Sequence, residues 1–353
     1  MTTGNSQTPF PKSALIAMSG GVDSTVAALL MLRKGVVCEG ATMKVFAGSE
    51  RTVADAQAVA DKLNIPFHAF DFIDQFADKV IEPFITDYRE GRTPNPCVVC
   101  NKQLKFGVFM DKAQELGKDC MATGHYVQVE QDANGRYLLK KGVDLSKDQS
   151  YVLYTLSQEQ LARAVFPLGS LTKTQVREIA QNEGFKNIGN SESQDICFIP
   201  DGDYVGFIKE YTGVSPKKGR FVDINGNDLG ENKGVSSYTI GQRRGLGLAM
   251  PHPPYVIELH PEDNKVVVGK EDMLYSKALD AENINLIPVD KLDAPIRAQV
   301  KIRYSDPGHA ATVHQITENR LHIEFDEAKR AITKGQAAVI YDGDTVIGGG
   351  TIV

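Results

Sequence analysis

Cysteine is scarce in this chain of 353 residues. The five present, Cys38, Cys97, Cys100, Cys120 and Cys197, are too few and too scattered for a disulfide scaffold, which points to a reducing compartment and predicts a cytoplasmic protein. No apolar run approaches the roughly 18 residues a membrane helix requires, so no membrane partner is expected. Met1 to Ser13 is short and polar, and it reads as a disordered lead-in rather than a secretory signal or an Arg-rich transit peptide. Positive charge is not in excess: the formal net charge is -6. That balance argues against indiscriminate nucleic-acid binding and leaves room for a specific RNA that meets a local basic face. Internal repeats and low-complexity tracts are absent. What is there, 42% hydrophobic and 24% charged residues, is the composition of a soluble globular protein, and the length suggests two or three domains.

Against this background one segment carries chemistry. Ser19-Gly20-Gly21-Val22-Asp23-Ser24 joins an apolar run, Ala14 to Met18, to a helical run, Thr25 to Leu30. Two glycines let the backbone approach a ligand. The free N–H groups of the following turn, with the Ser24 and Thr25 hydroxyls, make a site for an anion such as phosphate. The Gly-Lys-Ser/Thr ending of a Walker loop is missing, as is the three-glycine spacing of a dinucleotide fingerprint. The segment resembles the SGGxDS signature of the PP-loop ATP pyrophosphatases, and this resemblance implies cleavage of ATP between its α and β phosphates. Asp23 either binds Mg²⁺ beside the phosphates or caps the helix.

Strands and helices alternate from there. Val36 to Met43 reads as a buried strand after a helix that ends at Gly35, Val53 to Leu63 as a helix, Ile65 to Phe70 as extended, Leu104 to Leu116 as a helix, and Cys120 to Thr123 as a strand. This predicts an α/β doubly wound parallel sheet over 1–212, with ligands at the carboxyl ends of its strands. From about Gly213, glycines and short β-like runs such as Arg220 to Ile224 mark a small central β-rich domain over 213–278. Period-two alternation at 296–302, 321–325 and 337–341 predicts a C-terminal β-barrel over 279–353.

The remaining cysteines sit in two polar settings. Thr93-Pro94-Asn95-Pro96-Cys97-Val98-Val99-Cys100-Asn101-Lys102 reads as a rigid loop presenting two thiols, because two prolines exclude it from a helix interior, and Ser193-Gln194-Asp195-Ile196-Cys197-Phe198-Ile199 supplies another thiol. One CxxC pair does not complete a structural zinc site, and no second pair or His pair is present. Cys38 and Cys120 read as core.

SGGVDS, TPNPCVVCN, ATGHY, KDQSY and SQDICFI occur in this order, followed by Tyr238 to Gly247, Lys301 to Tyr304 and Ala337 to Asp344. Over nearly its whole length the chain closely resembles the tRNA-specific 2-thiouridylases, which place sulfur on C2 of the wobble uridine. The resemblance implies that ATP adenylates O2 of that uridine and that sulfur from a cysteine persulfide replaces it, with release of AMP and pyrophosphate. Cys197 would carry the persulfide, loaded by a cysteine desulfurase or sulfur-relay protein, and Cys100 would be the nucleophile that frees the sulfur or forms a disulfide with Cys197. Lys102 is the cation nearest in sequence to steady a thiolate. Many members have Asp at the position of Cys97, so Cys97, Cys100 and Cys197 suit either a persulfide relay or a [4Fe-4S] cluster.

The resemblance further implies an ATP site of Ala17, Met18, Ser19, Gly20, Gly21, Val22, Asp23, Ser24, Met43 and Gly124. It implies target-base and tRNA contacts by Asn95, Pro96, Cys97, His125, Lys147, Asp148, Gln149, Arg303, Tyr304 and Gln336. Met43 equally reads as core, Gly124 as a turn and His125 as a structural histidine. A flipped-out anticodon base can enter a pocket as a paired base cannot. Lys217-Lys218-Arg220, Arg243-Arg244, Lys301-Arg303 and Lys329-Arg330 offer phosphate contacts. Two rivals stay open: an amide-forming PP-loop ligase, which has no use for three cysteines, and a nonenzymatic RNA-binding or iron–sulfur module that uses nucleotide as a switch.

Overall fold

The computed structural model describes residues 10–185 and 196–353. The expected lead-in up to residue 9 lies outside it, as do Ser193, Gln194 and Asp195 of the downstream cysteine motif. Its first layer is a parallel sheet of β1 (Ser13–Ala17), β2 (Val37–Lys44), β3 (Phe67–Asp71), β4 (Cys120–Ala122) and β7 (Ala164–Val165), in the order β3-β2-β1-β4-β7. β1 is central and its Ala14, Leu15 and Ile16 are wholly buried, so the apolar run is what a strand covered on both faces requires. The helices α1 (Val22–Arg33) and α2 (Glu50–Leu63) make the crossovers. Gly35, at φ +79°, turns the chain after α1 into β2.

The rest of the first segment departs from the expected partition. β5 (Val127–Gln131) and β6 (Tyr137–Lys141) form a hairpin that leaves the parallel sheet and extends the sheet of the C-terminal barrel, β6 pairing with the last strand at Lys140 and Thr345. The central domain holds β8 (Gly219–Val222), β9 (Asp228–Asn232), β10 (Tyr255–His260) and β11 (Lys265–Gly269) in the order β10-β11-β8-β9. The barrel comprises β12 (Tyr275–Leu286), β13 (Ile296–Lys301), β14 (His309–Thr317), β15 (Arg320–Arg330), β16 (Ala337–Asp342) and β17 (Thr345–Ile352). It closes because β12 pairs with both β15 and β17. The alternating segments are thus strands, but the sheets do not follow 212 and 278 as boundaries: the hairpin crosses one, and β12 begins at Tyr275.

Leu104 to Leu116 is not one α-helix. Pro96–Cys100 is α-helical, Asn101–Val108 is a π-helix with Gly107 at φ -100° and ψ -110°, and Phe109–Glu115 is α-helical again. A hydrophobic periodicity tuned to 3.6 residues does not reveal an inserted π-turn.

One core spans the first segment and the barrel: Leu139, Tyr151, Leu153 and Tyr154 pack in the same cluster as Ala337, Val339, Tyr341 and Val346. Tyr341 is 1% exposed, and its hydroxyl lies 3.2 Å from Ser150 Oγ. Truncating it opens a cavity at the seam, so Tyr341→Ala is expected to cost about 3–5 kcal/mol in urea denaturation. A loss below about 1 kcal/mol would show that the seam is not part of the cooperative core.

Candidate active site

β1 ends at Ala17 and α1 begins at Val22; Met18 lies buried below the turn that joins them. Gly20 has φ +73°, and a Cβ there would stand 2.6 Å from Asp55 Cβ, so both backbone and α2 exclude a side chain. Gly21 is the N-cap, and no side chain caps the helix. Its carbonyl instead accepts the Ser24 hydroxyl at 3.1 Å and the Thr25 hydroxyl at 2.9 Å, while Ser24 Oγ accepts the Ser19 N–H at 3.1 Å. This corrects the expected role of the two hydroxyls: they brace the turn from behind, and Thr25 is wholly buried. The uncapped N–H groups of Val22, Asp23 and Ser24 remain for an anion, at the positive end of the helix dipole.

Asp23 does not cap α1. Lys173 Nζ lies 2.8 Å from each of its carboxylate oxygens, and the Tyr126 hydroxyl donates to Oδ1 at 2.7 Å. An ammonium across both oxygens leaves a poor fit for Mg²⁺ at this carboxylate. Lys173 opens the helix Lys173–Asn182, whose capping box of Thr172 and Gln175 fixes where the helix starts and therefore where the lysine enters. Neither Lys173 nor Tyr126 was expected at the site. The Thr172-x-x-Gln175 pattern is readable as a helix start, but nothing local says that it faces Asp23.

Gly124 follows β4 and presses on the same turn: a Cβ on it would lie 2.8 Å from the Asp23 carbonyl carbon and 2.9 Å from Ser24 N. Met43 stands on β2 two positions past Ala41, the partner of Ala17, and so shares the strand-end rim with the turn. Both Met43 and Ala17 are half-buried against the core.

The sulfur-bearing side is helical, not a loop. Asn95 is the N-cap, its Oδ1 accepting the Val98 N–H at 3.3 Å, and Pro96 occupies the first helical position, where its missing N–H costs nothing. The two prolines therefore start a helix instead of excluding one. The spacing of three puts Cys97 and Cys100 on one face. Cys97 and Cys197 are exposed and Cys100 is half-buried. Burial pushes the Cys100 thiol up to about 11; Cys97 and Cys197 are also raised, chiefly by burial despite their exposed surface, and Lys105 pulls all three back. Cys97 and Cys197 raise the Cys100 thiol further, and Cys97 raises Cys197, so the three thiols lie in one neighbourhood. Resting thiols of this kind are protonated near neutrality, against the expectation of a ready thiolate. Lys102 is exposed; the cation at the thiols is Lys105.

Among the described residues no three His, Cys, Asp or Glu side chains converge closely enough to hold a metal ion.

Several residues expected at a tRNA surface are turned inward. His125 is buried, its Nδ1 is 2.7 Å from Thr123 Oγ1, and burial holds it well below the usual histidine range, so it stays neutral. Asp148 is buried and accepts the N–H groups of Gly142 and Ser150 and the Ser150 hydroxyl, while Gln149 Oε1 accepts the Tyr126 N–H at 3.0 Å. Pro96 is buried, and Lys147 is half-buried. Gln336 Nε2 donates to the Thr93 carbonyl at 2.8 Å, just ahead of the Pro96–Cys100 helix. Tyr304 and Arg303 do reach the surface, although the Tyr304 hydroxyl donates to the Asp148 carbonyl at 3.2 Å and Arg303 Nη2 to the Arg330 carbonyl at 3.0 Å. Lys218 and Arg220 are paired with Glu231 and Asp228, whereas Arg243 and Arg244 are exposed with no ion pair among the described residues. A cavity of about 540 Å³ opens where the three parts meet, lined by Thr93, Tyr204, Thr239, Arg303, Arg330 and Gln336 among others.

Comparison with known proteins finds three family models in chain order: the tRNA methyl transferase HUP domain over 12–201, the tRNA methyl transferase PRC-barrel domain over 205–270 and the aminomethyltransferase beta-barrel domain over 276–352. The chain is 46% identical to the tRNA-specific 2-thiouridylase MnmA of Clostridioides difficile (strain 630), over 97% of this chain and 98% of that protein. It is 44% identical to its namesake in Halothermothrix orenii, over 96% and 98%. For the namesake in Carboxydothermus hydrogenoformans the figures are 46%, 97% and 97%.

Gly20→Ala tests the cradle. A Cβ at left-handed φ costs about 1–2 kcal/mol, and the clash with Asp55 adds to it, so ATP binding measured by calorimetry is expected to weaken at least about tenfold. Unchanged affinity in a folded variant would place the nucleotide elsewhere.

Proposed function

The chain belongs to the family of tRNA-specific 2-thiouridylases, and from that premise we propose how its own residues divide the work of an ATP-dependent tRNA sulfurtransferase. The family models speak of methyl transfer and the relatives of thiolation; three neighbouring thiols beside an uncapped glycine turn favour thiolation. One observation carries this reading. Phe106, on the π-helix after Cys100, lies 5.9 Å ring to ring from His125, and His125 adjoins Gly124, which packs against the glycine turn. The two half-sites are thus back to back.

ATP lies along the strand ends with its adenine near Met43 and its phosphates on the N–H groups of Val22 to Ser24, joined by Lys173, which Asp23 holds in place. Because Asp23 is engaged, a Mg²⁺ ion would be held chiefly by the phosphates themselves, whose charge it would neutralise. O2 of the wobble uridine attacks the α phosphate, and pyrophosphate leaves. A persulfide donor, such as a cysteine desulfurase or a relay protein, loads the exposed Cys197. The terminal persulfide sulfur attacks C2, the C2–O bond breaks, and AMP departs with the oxygen. Cys100 thiolate then attacks Cys197 Sγ; the sulfur–sulfur bond breaks, the electron pair stays with the sulfur on C2, and a Cys100–Cys197 disulfide forms. An external thiol reductant restores both thiols. Cys97 has room in the same relay. The exposed Arg243 and Arg244 and the three-way cavity, with Arg303, are the surface offered to the tRNA backbone.

The protein incubated with ATP, Mg²⁺, a persulfide source and tRNA transcript is expected to yield 2-thiouridine, detected by mass spectrometry. Serine at Cys100 or Cys197 is expected to abolish it while AMP and pyrophosphate still form; retained thiolation in either variant sinks the relay. Lys173→Met should slow pyrophosphate release about a hundredfold, as removal of a preorganised transition-state donor does. Unchanged release would exclude the lysine from phosphate contact. Four irons per chain after anaerobic purification, with activity tracking iron, would replace the relay by the cluster.

A further inference from the structure

Lys105 is half-buried and makes no hydrogen bond or ion pair among the described residues. An ammonium with no partner of its own is free to meet an anion that forms beside it. Its placement depends on the irregular helix. In an α-helix five residues advance about 500°, which carries the fifth away from the first. Here the π-helix Asn101–Val108 starts directly after Cys100, and its wider turn, bonding each residue to the fifth along, brings position 105 back over position 100. The closing bond is of that kind, Phe109 N–H to the Leu104 carbonyl. The groups that act on Cys100 are Cys97, Cys197 and Lys105, and the same lysine acts on the buried, neutral His125. One unpartnered ammonium is therefore near both the thiols and the residue that adjoins Gly124.

We propose that Lys105 is the positioning cation of the sulfur site, held over Cys100 by the π-turn so that the thiolate is stabilised where it must attack Cys197. The proposal rests on the relay described above for its purpose, but not for its measurement. Burial raises the Cys100 thiol, and Lys105 is the opposing influence. Without it the thiolate forms only at still higher pH.

The test is the rate of iodoacetamide labelling of Cys100 in the full chain at about pH 8, with peptide mass spectrometry as the readout and neither ATP nor tRNA present. Lys105→Gln is expected to slow labelling about threefold, because the loss of thiolate outweighs the greater nucleophilicity of a more basic one. Lys105→Arg is expected to keep the wild-type rate. A wild-type rate in Lys105→Gln overturns the proposal. Should Gln disturb the fold, Lys105→Met keeps the apolar stem and decides by the same rate. A slowed rate in Lys105→Gln of a protein that forms no 2-thiouridine upholds Lys105 and rejects the thiolation reading.

Discussion

The carboxylate of Asp23 is the point to which the rest of the site is tied. Removed partly from water at the start of α1, it needs a cation and a donor, and it takes both from elsewhere in the chain: Lys173 from the helix Lys173–Asn182 and the Tyr126 hydroxyl from the segment after β4. Three elements that meet only at the carboxyl ends of the parallel strands are thereby held in register. The same Tyr126 passes its N–H to Gln149; the neighbouring Asp148 orders the Gly142–Ser150 turn and offers its carbonyl to Tyr304 of the barrel. A hydrogen-bonded route therefore runs from the glycine turn to the C-terminal part. Of its members, Asp148, Gln149 and Tyr304 were expected at a tRNA surface; Asp148 is buried, while Tyr304 is exposed.

The helix Pro96–Cys100 shows the same economy of position. Asn95 and Pro96 start it, Gln336 and the Lys334 carbonyl hold Thr93 just upstream, and the π-turn downstream re-aims the side chains of Lys105 and Phe106. Gly335 allows this close approach, since a Cβ on it would lie 3.0 Å from Thr93 N. Cys97 and Cys100 are thus presented by a short helix clamped at both ends, which keeps two thiols facing a third that arrives from far along the chain.

Much of this was legible in the residues. The apolar run to Met18, the glycine turn and the helix start marked the cradle because each of those requirements is local: buried strand, positive φ, free N–H groups. Period-two alternation marked β13, β15 and β16 for the same reason. Long-range contacts were not legible. No pattern near Lys173 points to Asp23, and Lys105 was hidden because the eye reads Leu104 to Leu116 with α-helical spacing, so Lys102 seemed the closer cation. The Pro-x-Pro stretch misled because a proline at the first turn and a proline in the interior have opposite meanings. Inward-facing His125 and Asp148 look, as letters, like surface polar residues; only packing separates the two.

The hairpin β5–β6 carries a consequence for how the chain is made. Lys141 N–H donates to the Asp344 carbonyl at 2.8 Å, and Lys140 pairs with Thr345. Roughly 200 residues must therefore be synthesised after the hairpin before its partner strand exists, about ten to forty seconds at ordinary ribosomal speeds. Throughout that interval the parallel sheet has its own strands in place but lacks Tyr341 and Val346 from the core it shares with β17 and β16. The nascent chain waits with an apolar seam open, and the seam closes only after β16 and β17 have emerged from the ribosome.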